Sequence, residues 1–419
     1  GSIRTNRGLR ALTVTQFLGA FNDNLFKQIM LFLAARFLFP GEDQQGLASA
    51  VFALPFILFS GIAGELSERY SKRTVIVAMK VAEVLVMIAA MVAFWVGSWT
   101  FLLVVLFVMG TQSAFFGPSK YGIIPELVDR EQLMAANGII SMTTFFAILT
   151  GTAVAGPIMD QVPDKLWIGG AACLLIALVG TWTATSVTRT PVTRPDLKIG
   201  LNPFSGLPAS IREMRKDGHM LEVVLANSFF FFNGGVLQQA VTGMGTDQVL
   251  GLAMNENRYL SYLLATLATS LMIGCLVVPI VGKRVSAPRL VTIGVSSMVL
   301  FQVLLTLVGP VVPRESGGYL LAHLLLGATG FFAAFFVVPI VSFVQDAPEE
   351  GKKGKTFAVN NFFNFIFIFL AGGFYLATSE LEMPSTFSTA LAALIFGAYL
   401  IHIRKTVGQL RLGNGPTAS

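Results

Sequence analysis

Apolar residues fill most of this chain, in long runs that short polar stretches interrupt. Several windows of about 18 or more residues contain no charge, and such a window is long enough to cross the hydrocarbon core of a bilayer. They include Gly46–Gly64, Val84–Ser119 and Tyr259–Gly282. Cutting the chain at charges and turn residues, such as Gly97-Ser98 within the second window, predicts twelve spans. These run over residues 10–38, 46–67, 74–97, 99–119, 132–160, 165–187, 220–249, 257–282, 289–312, 317–345, 355–379 and 384–404.

Composition and charge agree with a membrane protein. The chain is 54% hydrophobic and 12% charged, whereas soluble domains carry about 25% charged residues. If the N-terminus is cytoplasmic, the outer loops hold only Lys165, Arg258 and Arg314, and most of the 29 Lys and Arg residues lie in the inner loops. Cytoplasmic loops of membrane proteins are enriched in Lys and Arg. We therefore expect both termini in the cytoplasm and assign the net charge of +6 to topology rather than to nucleic-acid binding.

The two halves of the chain repeat each other. Phe21–Gln28 reads FNDNLFKQ and Phe232–Gln239 reads FNGGVLQQ, each in the first span of a half. Two related six-span halves are typical of transporters whose substrate binds between the halves. We predict an all-α membrane protein with a six-helix bundle at residues 1–187, a cytoplasmic linker at 188–219 and a second six-helix bundle with a short cytoplasmic tail at 220–419.

The linker is the longest polar connection and contains four prolines between Arg189 and Lys216. Within it, Ile211–Met220 fits either a short helix on the anionic inner leaflet, attracted through its basic residues, or a solvated connection. The sequence leaves these two interpretations open.

Charged residues inside spans are the first candidates for function. Asp23 and Lys27 lie within the first span, where a charge at the bilayer centre costs at least about 2.5 kcal/mol. Being four residues apart, they share one helix face. They either border a hydrated passage or form a structural ion pair. Lys80 and Glu83 in the third span are three apart and favour a structural pair.

Signatures of enzymes and cofactor proteins are missing from the sequence. Cys173 and Cys275 stand alone in separate apolar segments, so we expect no disulfide. His219, His323 and His402 lack the spacing of metal ligands. No glycine-rich loop ends in Lys-Ser or Lys-Thr, which argues against direct use of ATP. We expect no enzymatic activity, no metal and no cofactor.

One polar loop carries a family motif. Gly64–Arg73, between spans two and three, reads GELSERYSKR. It resembles the cytoplasmic loop motif of the major facilitator superfamily, with Ser71 in place of the usual glycine. The resemblance implies that Gly64 permits close helix approach and that Glu68 locks onto basic partners in the outward-open state. The gating residues implied are Gly64, Glu68, Arg69, Arg73 and Glu126.

Three further stretches narrow the resemblance. Gln16–Asn24 reads QFLGAFNDN, Phe116–Leu127 reads FGPSKYGIIPEL and Leu133–Gly138 reads LMAANG. Together they resemble the bacterial lysophospholipid transporter family, more closely in the N-terminal half than in the C-terminal half. The resemblance implies a monomer of the major facilitator fold in the bacterial inner membrane. It also implies movement of lysophosphatidylethanolamine-type lipids from the outer to the inner leaflet for reacylation, by alternating access, with functional roles for Asp23 and Lys120.

The family relationship also suggests a partner and a binding set. The partner is an acyltransferase and acyl-acyl carrier protein synthetase, fused or separate. In the site, Asp23 would attract an ethanolamine ammonium group, while Lys120 or Lys27 would hold the phosphate as a point charge. The remaining expected substrate-binding residues offer amide groups or an aromatic wall: Asn22, Asn24, Asn233, Gln238, Gln239 and Phe232.

Two other functions fit the same pattern. The first is a proton-coupled exporter of small amphiphiles or drugs, with Asp23 or Glu83 as the proton site. The second is a membrane anchor for a fused lipid enzyme, without transport of its own.

Overall fold

The computed structural model describes residues 6–37, 44–128, 133–161, 165–192, 195–196, 207–216, 219–245, 249–253, 255–346 and 353–410. In these ranges the chain forms twelve helices of 18 residues or more, and the predicted all-α fold is confirmed. The first six are α1 (Arg7–Phe32), α2 (Gln45–Arg69), α3 (Lys72–Val96), α4 (Trp99–Gly122), α5 (Leu133–Gln161) and α6 (Trp167–Thr185). The others are α7 (Met220–Gly243), α8 (Asn257–Val281), α9 (Ala287–Leu304), α10 (Gly318–Asp346), α11 (Lys353–Glu380) and α12 (Ser385–His402).

Most of these helices suit a bilayer by length and hydropathy. Within the described ranges, ten are long and apolar enough to cross a membrane, and α1 and α5 are outside that ten. The polar stretch of α1, from Asn22 to Gln28, lowers the mean hydropathy of that helix. A helix that spends part of its length on charged and amide side chains needs protein partners for them.

Local signals place the helix ends. The long apolar window is broken where it was predicted to break: Gly97 ends α3 with a φ of 70°, a left-handed conformation that glycine adopts without strain. Ser98 then caps α4, its Oγ accepting a hydrogen bond from the backbone N–H of Phe101 at 3.4 Å. At the ninth span the prediction ran too far. The α-helix ends at Leu304 and continues as a 3-10 turn over Leu305–Leu307. A turn follows in which Gly309 has a φ of 93° and Val308 bridges Val312.

The chain divides into two compact units. Unit 1 comprises Gly1–Leu33 and Val51–Ser205, and unit 2 comprises Ala34–Ala50 and Gly206–Ser419. In unit 1, α1 packs on α5 and α6, while α3 packs on α4 and α6. In unit 2, α7 packs on α11 and α12, while α9 packs on α10 and α12. The helix pairs correspond one to one, so the internal repeat predicted from two sequence stretches holds for the packing of both units.

Glycines bring helices of one unit into backbone contact. Gly110 of α4 lies where a Cβ would stand 2.7 Å from the carbonyl oxygen of Phe52 in α2. In unit 2, a Cβ on Gly294 of α9 would stand 3.0 Å from the carbonyl oxygen of Phe332 in α10. Small residues at such crossings let membrane helices gain dispersion contacts that lipid does not supply.

The linker contains a short helix, Leu207–Lys216, which begins four residues before the predicted Ile211. Met214 is buried and packs into the apolar core of unit 2 beside Ile403 and Val407. Arg212 and Arg215 are exposed. The apolar side of this helix therefore packs on protein.

An ion pair joins two loops of unit 2 that the sequence predicts to lie on the outer side of the membrane. Arg314 donates two hydrogen bonds of 2.8 Å to the two carboxylate oxygens of Glu256. This fork holds the pKa of Glu256 at about 2, below its ordinary value of 4.5, with the hydrogen bond from Arg314 as the largest cause. The guanidinium group also lies 5.3 Å from the ring centroid of Tyr259.

We expect Glu256→Gln to lower the stability of the protein at pH 7 by about 1 kcal/mol or less, the range for partly exposed pairs. Because the pKa of Glu256 is lowered in the folded state, its contribution is complete above about pH 4.5 and is lost as the pH falls towards about 2. Thermal unfolding in detergent from pH 7 to 3 measures this. The gap between wild type and variant should shrink below pH 4.5, and an unchanging gap would contradict the assignment. Glu380→Gln, at an exposed glutamate of the same unit, is the control.

Candidate functional site

The start of α1 is fixed by a hydrogen-bonded cap. Asn6 accepts a hydrogen bond from the backbone N–H of Leu9 at 2.9 Å, and its amide donates to the carbonyl oxygen of Leu127 at 2.6 Å. Leu9 and Leu12 then enter the apolar core of unit 1. This anchoring sets the rotation of α1 and thereby the directions of its polar side chains.

A fully buried ion pair lies inside unit 1. Lys80 and Glu83 are each 1% exposed and form a hydrogen-bonded ion pair one turn apart on α3. Asn22 of α1, which is 0% exposed, donates its amide to the other carboxylate oxygen of Glu83 at 2.9 Å. The predicted pair of Lys80 and Glu83 thus exists, and Asn22 joins it to α1 by a charge-assisted hydrogen bond, a bond type stronger than one between neutral groups.

Two glycines make room for the buried lysine. A Cβ on Gly180 of α6 would stand 2.9 Å from Cε and 3.0 Å from Nζ of Lys80, and a Cβ on Gly19 of α1 would stand 3.2 Å from Nζ. Thr181 also donates to the carbonyl oxygen of Lys80 at 2.9 Å. The chamber for the ammonium group is therefore built from backbone surfaces of α1 and α6.

Asp23 faces another helix than its neighbour Asn22. Its Oδ2 accepts a hydrogen bond from Ser113 of α4 at 2.7 Å, while its Oδ1 is buried without a hydrogen-bond partner among the described residues. Glu83, Lys80 and Lys120 are close enough for their charges to act on it. A buried carboxylate oxygen without a donor leaves the desolvation cost of that atom uncompensated.

The two candidate phosphate ligands of unit 1 lie against aromatic rings. Nζ of Lys27 is 5.5 Å from the ring centroid of Phe52. Nζ of Lys120 is 4.4 Å from the ring centroid of Tyr121 and 5.8 Å from that of Phe116. A cation over an aromatic face gains about 0.5–1 kcal/mol at exposed sites. Asn24, the remaining candidate of α1, donates its amide to the carbonyl oxygen of Ala20 at 2.7 Å.

The candidates of the second half lie within the packing of unit 2. Asn233 is 0% exposed, and neither side-chain polar atom has a partner in the described part of the chain. Gln239 is 2% exposed and donates to the carbonyl oxygen of Gly235 at 3.1 Å. Phe232 packs edge-on against Phe374 at 5.3 Å between centroids, and Gln238 is half-buried. In unit 1 the structure places Asn22 against α3 and Asp23 against α4. In unit 2 the four candidates all lie along α7.

Two of the expected gating residues, Arg73 and Glu126, take part in contacts that anchor the loop between α2 and α3. Lys72 forms a hydrogen-bonded ion pair with Glu126, and Arg73 donates to the carbonyl oxygen of Thr185 at 2.6 Å. Ser71, in place of the family glycine, donates to the carbonyl oxygen of Thr190 at 3.0 Å.

The other gating candidates differ. Arg69 stacks on Tyr70 with its guanidinium carbon 5.7 Å from the ring centroid. The close helix approach expected at Gly64 is not seen, because a Cβ there would meet no described atom within 4 Å. The side chain of Glu68 lies outside the described residues.

The sequence analysis missed Ser113 and Gln112 of α4. Gln112 is 6% exposed, and its Oε1 is 3.1 Å from the Ser113 hydroxyl that also reaches Asp23. The sequence signal for them is a pair of adjacent polar residues in an apolar span. It is a weaker indication of function than a charge.

Twelve long helices in two repeated units, with charges buried inside one of them, are the architecture of a multi-pass membrane transporter. The family model of the Major Facilitator Superfamily matches residues 12–372, and the chain belongs to this superfamily. Among similar proteins, the lysophospholipid transporter LplT of Cronobacter sakazakii is 28% identical over 386 residues, which cover 90% of each chain. LplT of Klebsiella pneumoniae is 27% identical over 416 residues, 94% of this chain and 98% of the relative.

Solved structures share the fold at low sequence identity. A POT family transporter in complex with 5-aminolevulinic acid matches with a TM-score of 0.73 and 13% identity over 98% of both chains. A bacterial homologue of the human lysosomal transporter Spinster, inward-facing and unoccupied, matches with a TM-score of 0.65 and 16% identity over 98% of this chain and 99% of the other. These likenesses concern the fold alone.

We expect Lys80→Met or Glu83→Gln alone to destabilise the protein by about 3–5 kcal/mol, because each leaves a buried charge without its partner. The double variant should recover much of this loss, since it removes both charges together. Thermal unfolding in detergent measures all three. If the double variant is as unstable as the sum of the single variants, the two residues do not neutralise each other.

We expect Gly180→Ala to destabilise the protein by about 1–3 kcal/mol, the usual effect of overpacking. The added methyl group meets the Lys80 side chain, which its ion pair holds in place. Gly117→Ala is the matched control, because a Cβ there meets no described atom within 4 Å and the helix gains propensity. Equal unfolding temperatures for the two variants would show that the chamber around Lys80 is not tight.

Proposed function

We propose that this protein is a lysophospholipid transporter that works by alternating access. The observation that carries the proposal is the similarity over at least 90% of both chains to transporters of that name, at 27–28% identity. The buried charges of unit 1 support it, since ionisable groups within membrane helices are costly and usually mark a substrate or ion pathway.

Substrate recognition centres on Asp23. The unpaired Oδ1 of Asp23 accepts a hydrogen bond from the ammonium of lysophosphatidylethanolamine, while Ser113 holds Oδ2. Lys120 and Lys27 attract the phosphate as point charges and sit against aromatic rings that also suit an acyl chain. Asn22, bonded to Glu83, positions Asp23 by fixing the rotation of α1.

Gating involves the loop between α2 and α3. The ion pair of Lys72 with Glu126 and the bond from Arg73 to Thr185 tie this loop to the ends of α4 and α6. We propose that these contacts, with Glu68 and Arg69, hold one state of the transport cycle. Gly64 leaves room for a neighbouring helix to approach when the other state forms.

The cellular setting follows from charge and family. We propose a location in the bacterial inner membrane with both termini cytoplasmic, since the basic residues concentrate in one set of loops. Lysolipid moves from the outer to the inner leaflet. There a separate or fused acyltransferase and acyl-acyl carrier protein synthetase restores the second acyl chain. The transporter acts as a monomer with a six-helix bundle on either side of its linker.

Asp23→Asn should lower transport of lysophosphatidylethanolamine by about 10- to 100-fold, the loss for one hydrogen bond to a charged group. Transport of lysophosphatidylglycerol, which has no ammonium group, should fall less. Labelled lysolipids offered to spheroplasts carrying the protein measure both. Asp196→Asn, at an exposed acid of the linker, should leave transport unchanged.

An uncoupler separates this proposal from the proton-coupled exporter. Lysolipid uptake that survives collapse of the proton gradient supports the lysophospholipid transporter. Wild-type protein that moves no lysolipid, but extrudes amphiphilic cations in a gradient-dependent manner, would overturn it.

A further inference from the structure

Unit 2 contains a polar cluster to which neither the predicted site nor the relatives assign a role. It consists of Asn227 and Ser228 on α7 with Asn360 and Asn364 on α11, and we call it the amide cluster. All four are buried, with exposed fractions of 2%, 0%, 7% and 6% in that order. Asn360 and Asn364 are four residues apart, so they lie on one face of α11.

The internal hydrogen bonds of the amide cluster use only part of its capacity. Asn227 donates to Oδ1 of Asn360 at 3.0 Å and reaches Oδ1 of Asn364 at 3.5 Å. Ser228 donates to Oδ1 of Asn364 at 2.9 Å. Oδ1 of Asn227 is buried and has no partner among the described residues. The bonds within the cluster use the Oδ1 atoms of Asn360 and Asn364 and leave their amide nitrogens unused.

A cross-link between two helices does not account for this arrangement. Asparagine bonds between membrane helices add stability when both sides are satisfied. Here one buried carbonyl oxygen lacks a donor, which costs about 1–3 kcal/mol. Each asparagine amide offers two N–H donors and each carbonyl two lone pairs. A ligand with a hydroxyl donor and nearby acceptor oxygens would satisfy these free hydrogen-bonding positions.

Aromatic residues flank the cluster in sequence on both helices. Phe229 follows Ser228 in sequence and packs on Phe367 at 4.8 Å and on Tyr399 at 4.5 Å between ring centroids. Phe363 precedes Asn364 and packs against the same apolar core. Polar groups beside an apolar wall suit an amphiphile with a compact polar head.

We propose that the amide cluster is a subsite for the glycerol hydroxyl and the neighbouring acyl ester oxygens of a lysophospholipid, which rests on the proposed transport function. Oδ1 of Asn227 accepts the hydrogen bond of the free sn-2 hydroxyl, the group that a diacyl lipid lacks. The amide groups of Asn360 and Asn364 donate to the oxygens of the acyl ester. The subsite thus selects the monoacyl lipid by a hydrogen bond, in addition to any selection by size.

The test compares two substrates in vesicles containing purified protein. One is 1-acyl lysophosphatidylethanolamine, and the other is its 2-deoxy analogue, which lacks the sn-2 hydroxyl. We expect the wild type to prefer the hydroxyl compound by about two- to twelve-fold in kcat/KM, the factor for one net hydrogen bond. Asn227→Ala should reduce this preference to about one. Asn360→Ala should raise KM for both substrates alike and keep the preference.

Control variants keep the test decisive. Thr389→Val breaks another buried hydrogen bond of unit 2, from Thr389 to Gln302 at 2.7 Å, and should retain the wild-type preference. If Asn227→Ala does not fold, Asn227→Leu fills the same volume and serves instead.

A wild type that moves both substrates equally, or an Asn227 variant with undiminished preference, overturns the subsite and leaves the transport function standing. A wild type that moves neither substrate overturns the transport function itself.

Discussion

Neutralisation of charge away from water is the constraint on which unit 1 depends. An ammonium and a carboxylate buried at 1% exposure are tolerated only because each is the partner of the other and a neighbouring amide completes the carboxylate. The helices around the pair are packed so that both charges are accommodated. Gly19 and Gly180 yield space to Lys80, and Asn22 turns towards Glu83, which directs the adjacent Asp23 to α4. The orientation of Asp23 towards α4 is thus a consequence of the Lys80–Glu83 pair.

The repeat preserves positions in space while the chemistry has changed. In unit 1, Gln16 of α1 is hydrogen-bonded to Thr144 of α5. In unit 2, Asn227 of α7 meets Asn360 of α11, at the corresponding helix pair. Unit 1 also contains the buried charges of Lys80 and Glu83, whereas the polar residues around the bond in unit 2 are neutral amides. The two units thus keep the same helix pairing with different polar side chains.

Sequence reasoning succeeded where the signal is local. Spans follow from apolar runs, the break at Gly97 from a residue that tolerates a left-handed backbone, and the Lys80–Glu83 pair from helical spacing. It could not tell which face of an all-round apolar helix meets which neighbour. Asn233 and Gln239 therefore seemed equivalent to the polar residues of α1, although packing encloses them in unit 2. Ser113 and Asn364 were not predicted, because an uncharged side chain in an apolar span costs less to bury than a charge and is a weaker signal of function.

The placement of Lys80 and Glu83 on one helix bears on biogenesis. Residues three apart can meet as soon as a single helix forms, so Lys80 and Glu83 can neutralise each other within α3 alone. Asp23 instead has its hydrogen-bond donor on another helix. Ser113 of α4 lies 90 residues further along the chain. The hydrogen bond of Asp23 can therefore form only after α4 has been synthesised, whereas the Lys80–Glu83 pair needs α3 alone.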